Sequence, residues 1–304
     1  MKILVLGGTG MIGGHAALHL RSRGHEVTIA SRKPPPGSSA LADLPFLRGD
    51  YIANGFARSE LARFDALVFA AGNDVRHLPP DGDSDAHWQR ANAEGVPRFF
   101  AAARDAGIHL AVNIGSFYPQ ACPRVLETSA YARSRKAADE GARALATPDF
   151  RVMSLNAPFV VGTVPGLTVP MFEAYTRYAQ GLIPGLPAFA PKGGVNFIST
   201  QSLSEAVAGA LERGRSGAAY LVGDENLSFA DYFGLFFRAC GRTEPLPALD
   251  QEHPMMPDAA ILWGRGSELY YAPDAEETRL LGYRRGDIAR TVGEVVAQYA
   301  GGVQ

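Results

Sequence analysis

The feature that most constrains this chain lies within its first two dozen residues. Met1-Lys2 leads into the apolar run Ile3-Leu4-Val5-Leu6, then into Gly7-Gly8-Thr9-Gly10-Met11-Ile12-Gly13, and the helical pattern Met11–Arg23 overlaps its end. An apolar run without alternation reads as a strand buried on both faces, the kind that parallel sheets contain. Parallel neighbours need crossover connections, usually a helix. Three glycines spaced GxxGxxG, where such a strand hands over to such a helix, allow a tight turn and close approach of the backbone to another group. The expected fold is therefore α/β, with a doubly wound parallel sheet.

The pattern repeats. Short apolar runs at Lys2–Gly7, Glu26–Ser31, Phe46–Arg48, Asp65–Ala70, His109–Gly115 and Phe150–Asn156 are bounded by Gly, Asp or Pro, with a later run at Ala219–Val222. Between them Met11–Arg23, Ser59–Arg63, Trp88–Ala106 and Tyr131–Ala146 read as helices, followed by a helix from about Phe229 to Cys240. Alternation of this kind builds βαβ units. Breakers and scattered aromatics thicken over Gly162–Gly194 and Gly241–Pro257. These divide the chain into a dinucleotide-binding domain over 1–160, its sheet completed by about 195–225, and a substrate-binding lobe over 161–194 and 226–304.

The glycine loop supplies a chemical reading. The N-terminus of the helix that follows presents free N–H groups and the positive end of a dipole, which suits a pyrophosphate. The residues expected to meet it are Gly7, Thr9, Gly10, Met11, Ile12 and Gly13. The cofactor's ribose is read after the second strand, where an acid selects NAD and an arginine accommodates the 2′-phosphate of NADP. This chain has Ser31-Arg32-Lys33 and no acid there, so NADP (as NADPH) is favoured, with NAD as the alternative.

In their order along the chain, these motifs resemble the extended short-chain dehydrogenase/reductases, the group of the NAD-dependent epimerase/dehydratases, over nearly its whole length. Gly49-Asp50 followed by Tyr51 resembles the family's adenine contact, and Ala70-Ala71-Gly72 resembles its turn after the fourth strand. Asn92 stands where the family has an Asn-x-x-Gly helix segment. Ala157-Pro158-Phe159 is similar to its stretch beside the nicotinamide, and Leu281-Gly282-Tyr283 with Ile288…Thr291-Val292 is similar to its closing segment. The resemblance implies a Rossmann-type fold, a nicotinamide cofactor touching these residues, and a homodimer through the helices Trp88–Ala106 and Tyr131–Ala146.

It also implies a catalytic Tyr in a YxxxK motif and a Ser after the fifth strand. The chemistry explains the set. A carbonyl oxygen that gains charge as hydride reaches its carbon must receive a proton. A phenol is a weak acid near neutrality, a nearby cation stabilises its phenolate, and a hydroxyl holds the oxygen in place. Tyr131 and Ser116 fill two of these roles, but position +4 is Arg135 and the lysine arrives at Lys136. On a regular helix +4 returns to roughly 40° of the tyrosine, whereas +5 lies about 140° away. Lysine is scarce here, at Lys2, Lys33, Lys136 and Lys192 only, so the 29 basic residues include 29 − 4 = 25 arginines. Three readings stay open: Arg135 replaces the lysine, a π-bulge returns Lys136 to the site, or the chain is a non-catalytic NADP-binding sensor. Tyr118 is a pocket wall or a substitute phenol.

The leading expectation is an NADPH-dependent reductase of a ketone or aldehyde, a small and fairly apolar carbonyl substrate. An epimerase or dehydratase that retains its cofactor is the alternative. Asn156, and Phe197–Leu203 without the family's His and Asp, set the chain apart from the sugar-nucleotide epimerases. A net charge of -2 argues against nucleic-acid binding, and no stretch is apolar for long enough to span a membrane. Together with Cys122 and Cys240, too far apart to suggest a zinc site or disulfide framework, this gives a cytoplasmic protein. His77 and His87 lack metal-ligand spacing and read as loop or surface residues, and no metal is expected.

Overall fold

The computed structural model describes residues 1–73, 78 and 83–300. The strands, in chain order, are β1 Lys2–Leu6, β2 Glu26–Ser31, β3 Phe46–Arg48, β4 Ala66–Phe69, β5 Leu110–Ser116, β6 Arg151–Ala157, β7 Phe159–Val161, β8 Ala190–Pro191, β9 Gly194–Ser199, β10 Ala219–Leu221, β11 Glu225–Ser228, β12 Ala248–Leu249 and β13 Glu268–Leu269. The α-helices are α1 Met11–Ser22, α2 Arg58–Leu61, α3 Ser84–Trp88, α4 Gly95–Asp105, α5 Tyr118–Ala121, α6 Val125–Thr128, α7 Ala130–Arg143, α8 Pro170–Ala179, α9 Thr200–Arg213, α10 Phe229–Ala239, α11 Ala275–Leu281 and α12 Ile288–Ala300.

The first strand sits in mid-sheet, as its unbroken apolar run requires. Among the described residues the large sheet has seven parallel strands in the order β3-β2-β1-β4-β5-β6-β10. Leu4 pairs with Thr28 on one side and Leu67 on the other, and Val112 pairs with Val68 and Met153. This is a doubly wound Rossmann-type sheet with a reversal of strand order beside β1, where such sheets bind ligands. Alternate residues serve opposite faces. Val5 and Val112 pack with Leu20 of α1 and Leu203 and Val207 of α9, whereas Leu4 and Leu67 pack with Phe100 of α4 and Ala142 of α7.

The lobe is a smaller sheet in which β9 pairs antiparallel with β11 and parallel with β13 and β7. Its core joins Val195 and Phe197 to Phe172 and Tyr175 of α8, Phe233 and Phe236 of α10, and Val292 and Val295 of α12. The expected return to the large sheet over 195–225 is therefore divided. Strand β9 belongs to the small sheet, α9 covers the large one, and only β10 completes it. Pro158 alone separates β6 of the large sheet from β7 of the small one. The segment after β2 forms a second tie: Ala40 N donates to Pro165 O (2.9 Å), and Leu41 and Leu44 are buried beside Val164 and Leu167.

Two helices differ from expectation. The run Trp88–Ala106 is α3, then a π-helical turn over Gln89–Glu94, then α4. The Tyr131 helix has no such insertion. Helix α7 is continuous, with Ser129 accepting at its N-terminus from Ala132 N (3.2 Å).

Candidate active site

The glycine loop closes against the turn after β4. Gly7 has φ +80°, and a Cβ on it would lie 2.6 Å from Ala70 O; one on Gly13 would lie 2.5 Å from Gly7 O. Both positions thus exclude larger residues. Helix α1 begins with Gly10 at its cap, without a capping side chain and without an acid in its first turn. Its N-terminal N–H groups and dipole end are left for an anion, so these residues fit the pyrophosphate of a dinucleotide. Thr9 Oγ1 donates to Ser31 Oγ (2.9 Å), which donates to Lys33 O (2.5 Å), tying the loop to the turn that carries the exposed Arg32. Met11 and Ile12 are half-buried against the lobe core and the sheet core respectively. Asp50 is half-buried and accepts from Ile52 N (2.9 Å).

Two residues expected to touch the cofactor are buried beneath the turn after β4 instead. Asn92, fully buried in the π turn, accepts from Asn73 N and donates to Asn73 O and Ser134 Oγ, each at 3.1 Å. The Tyr51 hydroxyl donates toward Ala91 O (3.1 Å) and Ala71 O (3.3 Å) and accepts from Asn73 Nδ2 (2.7 Å); burial pushes its pKa up to about 12. Both use their polar atoms to hold Ala71-Gly72-Asn73 in place. At the far side, the Ala157-Pro158-Phe159 segment bridges the sheets, with Ala157 and Pro158 buried and Phe159 half-buried.

Tyr131 lies in the first turn of α7 and Arg135 one turn on. Arg135 Nη1 approaches the Tyr131 hydroxyl at 3.5 Å, with the guanidinium carbon 6.0 Å from the ring centre. Its Nη2 donates to Ile114 O (3.0 Å), and a Cβ on Gly72 would come within 2.7 Å of Nη1. The guanidinium therefore rests against Gly72 in the turn after β4, beside the phenol. Lys136 points elsewhere, pairing with Glu140 at 2.7 Å in a mostly solvent-exposed ion pair. The π-bulge alternative is corrected: α7 is regular, and the helix period carries Lys136 off the site. Ser116, buried, ends β5 beside Ala157.

Around Tyr131 the walls are aromatic. Trp88 meets its ring edge-on at 5.2 Å and Tyr118 at 6.4 Å; Tyr118 then contacts Phe117 (4.3 Å) and Trp263 (6.1 Å), and Trp263 contacts Phe159 (6.2 Å). Sequence spacing could not foretell that Trp88 and Trp263, so far apart in the chain, both reach this cluster. His87 is a correction: it is buried on α3 against Trp88 (5.1 Å), not a surface residue. His77 lies outside the described residues. Among the described residues no group of side chains suits a metal ion, and no helix is long and apolar enough to cross a membrane.

A profile of the NAD dependent epimerase/dehydratase family matches residues 3–183, more than half of the chain. The human Epimerase family protein SDR39U1 is 41% identical over 75 residues, 25% of this chain and 22% of that protein, so the match spans about a fifth of the relative's length. A 3-diazoavenalumate denitrifying reductase from a Streptomyces species is 27% identical over 269 residues, 82% of this chain and 85% of that one. The crystal structure of the Bordetella bronchiseptica enzyme WbmG, in complex with NAD and UDP, shares the fold with a TM-score of 0.72 at 19% identity, covering 99% of this chain and 95% of that one.

Proposed function

The chain belongs to the NAD dependent epimerase/dehydratase family, and we propose that within it this protein is an NADPH-dependent reductase of a small, fairly apolar ketone or aldehyde. The observation that carries this reading is the cation beside the phenol: Arg135 at 3.5 Å from the Tyr131 hydroxyl, in the place where the family has lysine. When bound, the nicotinamide supplies the hydride to the carbonyl carbon. Tyr131 gives its proton to the oxygen, Arg135 stabilises the charge left on the phenol, and Ser116 holds the oxygen by a hydrogen bond. The aromatic walls suit an apolar, flat substrate and exclude water from the charge being moved. The match to a reductase along most of both chains supports reduction over epimerisation. Arg32 and Lys33, exposed after β2 with no acid beside them in the turn, support NADPH over NADH.

The test is to mix the protein with NADPH and a panel of carbonyl compounds. Net loss of reduced-nicotinamide absorbance is the expected outcome. An altered sugar product with no net loss identifies an epimerase, and binding without turnover identifies a sensor. Tyr131→Phe is expected to lower kcat by about a hundredfold or more, the scale of a lost general acid, with NADPH affinity retained in a fluorescence titration. Tighter binding of NADH than NADPH would overturn the cofactor preference.

A further inference from the structure

Tyr131 is not the only phenol at the site. Tyr118 lies two residues beyond Ser116, at the start of α5, and its ring stands nearly perpendicular to that of Tyr131, with centroids 6.4 Å apart. The residue is only 6% exposed, yet among the described residues its hydroxyl has no hydrogen-bond partner. The hydroxyl is not sealed off from solvent, so a ligand oxygen can reach it. The ring itself is fixed, between Phe117 on one side and Trp263 on the other. So is its helix. Gln120 Oε1 accepts from Asn156 Nδ2 (2.7 Å), and Gln120 Nε2 donates to Ala219 O (3.2 Å), fastening α5 to the edge of the large sheet. This gives Asn156, the residue that departs from the family pattern, a part in the site.

The two phenols have different surroundings. Arg135 lies beside Tyr131, whereas burial dominates at Tyr118 and pushes its pKa far above the phenol range; negative charge on Tyr131 pushes it further in the same direction. Paired groups whose settings diverge in this way divide the labour of acid and donor. We propose that Tyr118 is a second catalytic hydroxyl, a donor that remains neutral throughout and hydrogen-bonds the substrate oxygen while Tyr131 protonates it. The proposal rests on the reductase reading. In that step the hydride from NADPH forms the new C–H bond, the C=O π pair moves to oxygen, and that oxygen takes the proton of Tyr131. Tyr118 keeps its own proton and contributes only the hydrogen bond.

Tyr118→Phe tests it, since the variant keeps the ring and removes one oxygen. With NADPH and the best aromatic aldehyde of the panel, kcat should fall by about a hundredfold, the scale of one lost oxyanion donor, while the KM for NADPH and the thermal unfolding midpoint stay unchanged. An unchanged kcat, or a raised KM for the aldehyde alone, overturns the proposal and leaves Tyr118 as a wall. A lowered unfolding midpoint also overturns it, because the oxygen would then be structural. Failure of the reductase reading is distinguishable: wild-type protein and Tyr131→Phe would then consume no NADPH with any carbonyl compound, and the proposal would fall with it.

Discussion

Arg135 shows how much one side chain's surroundings decide. Its place on the face of Tyr131 follows from helix geometry, because +4 nearly completes a turn, and the sequence alone was enough to see it. What it rests on was not legible. Gly72 stands 63 positions earlier, and no local pattern couples it to the middle of α7. The contact yields a prediction at this scale. Gly72→Ala puts a methyl within 2.7 Å of Nη1, and a flexible arginine head can swing away, so the fold should survive. Steady-state kinetics should show kcat falling by about tenfold or more, as expected when a charge near the reacting proton is displaced. Lys136→Ala should leave kcat unchanged and cost at most about 0.5 kcal/mol of stability, the worth of an exposed i,i+4 pair. Loss of activity in the lysine variant with none in Gly72→Ala would reverse the assignment of the cation.

At the scale of elements, the glycine loop, the strands of the large sheet and α7 were readable because each rests on a local pattern: an apolar run, a tight turn, a cap. The π turn was not. A π-bulge on α7 would return Lys136 to the site, but the π turn occurs over Gln89–Glu94, where the extra residue seats Asn92 under the turn after β4. Helix α9 was not legible either. Its sequence TQSLSEAVAGALER is rich in small residues, and they are buried because partners come close; a Cβ on Gly209 would strike Leu281 O. Such closeness is a property of packing, invisible to periodicity. Asn92 carries the prediction here. Asn92→Ala strips partners from the backbone of Asn73 and from Ser134, so equilibrium unfolding should show a loss of about 3 kcal/mol. NADPH affinity should fall with it, because the turn that runs into Asn73 loses the bonds that hold its end.

For the whole molecule, two histidines with depressed pKa values work against stability in acid. His253 is enclosed by Tyr178, Phe189 and Phe233, its Nδ1 accepts from Met255 N (3.1 Å), and burial lowers its pKa to about 4. His15, bonded to Ser204 of α9 (2.8 Å), is lowered to about 4 chiefly by burial as well. Both are depressed below the value of 6.5 expected in the unfolded chain, so as pH falls below 6.5 the unfolded state takes up protons that the folded state refuses. Stability is thus full above that value and declines toward pH 4, by about 3 kcal/mol for His253. Urea unfolding followed across this window should trace the decline, and His253→Asn should flatten its slope even if the variant is weaker at neutrality; an unchanged slope would exonerate this residue. The two sheets, meanwhile, are joined at Pro158 and again over residues 222–224, between β10 and β11, and are tied a third time where Ala40 reaches Pro165. Three ties, one of them a proline whose ring fixes φ, leave the lobe little room to swing. The consequence is pharmacological as much as mechanical. A stiff, flat inhibitor shaped to the aromatic cluster around Tyr131 would meet a mould already set, and its affinity would not be spent on drawing two halves of a protein together.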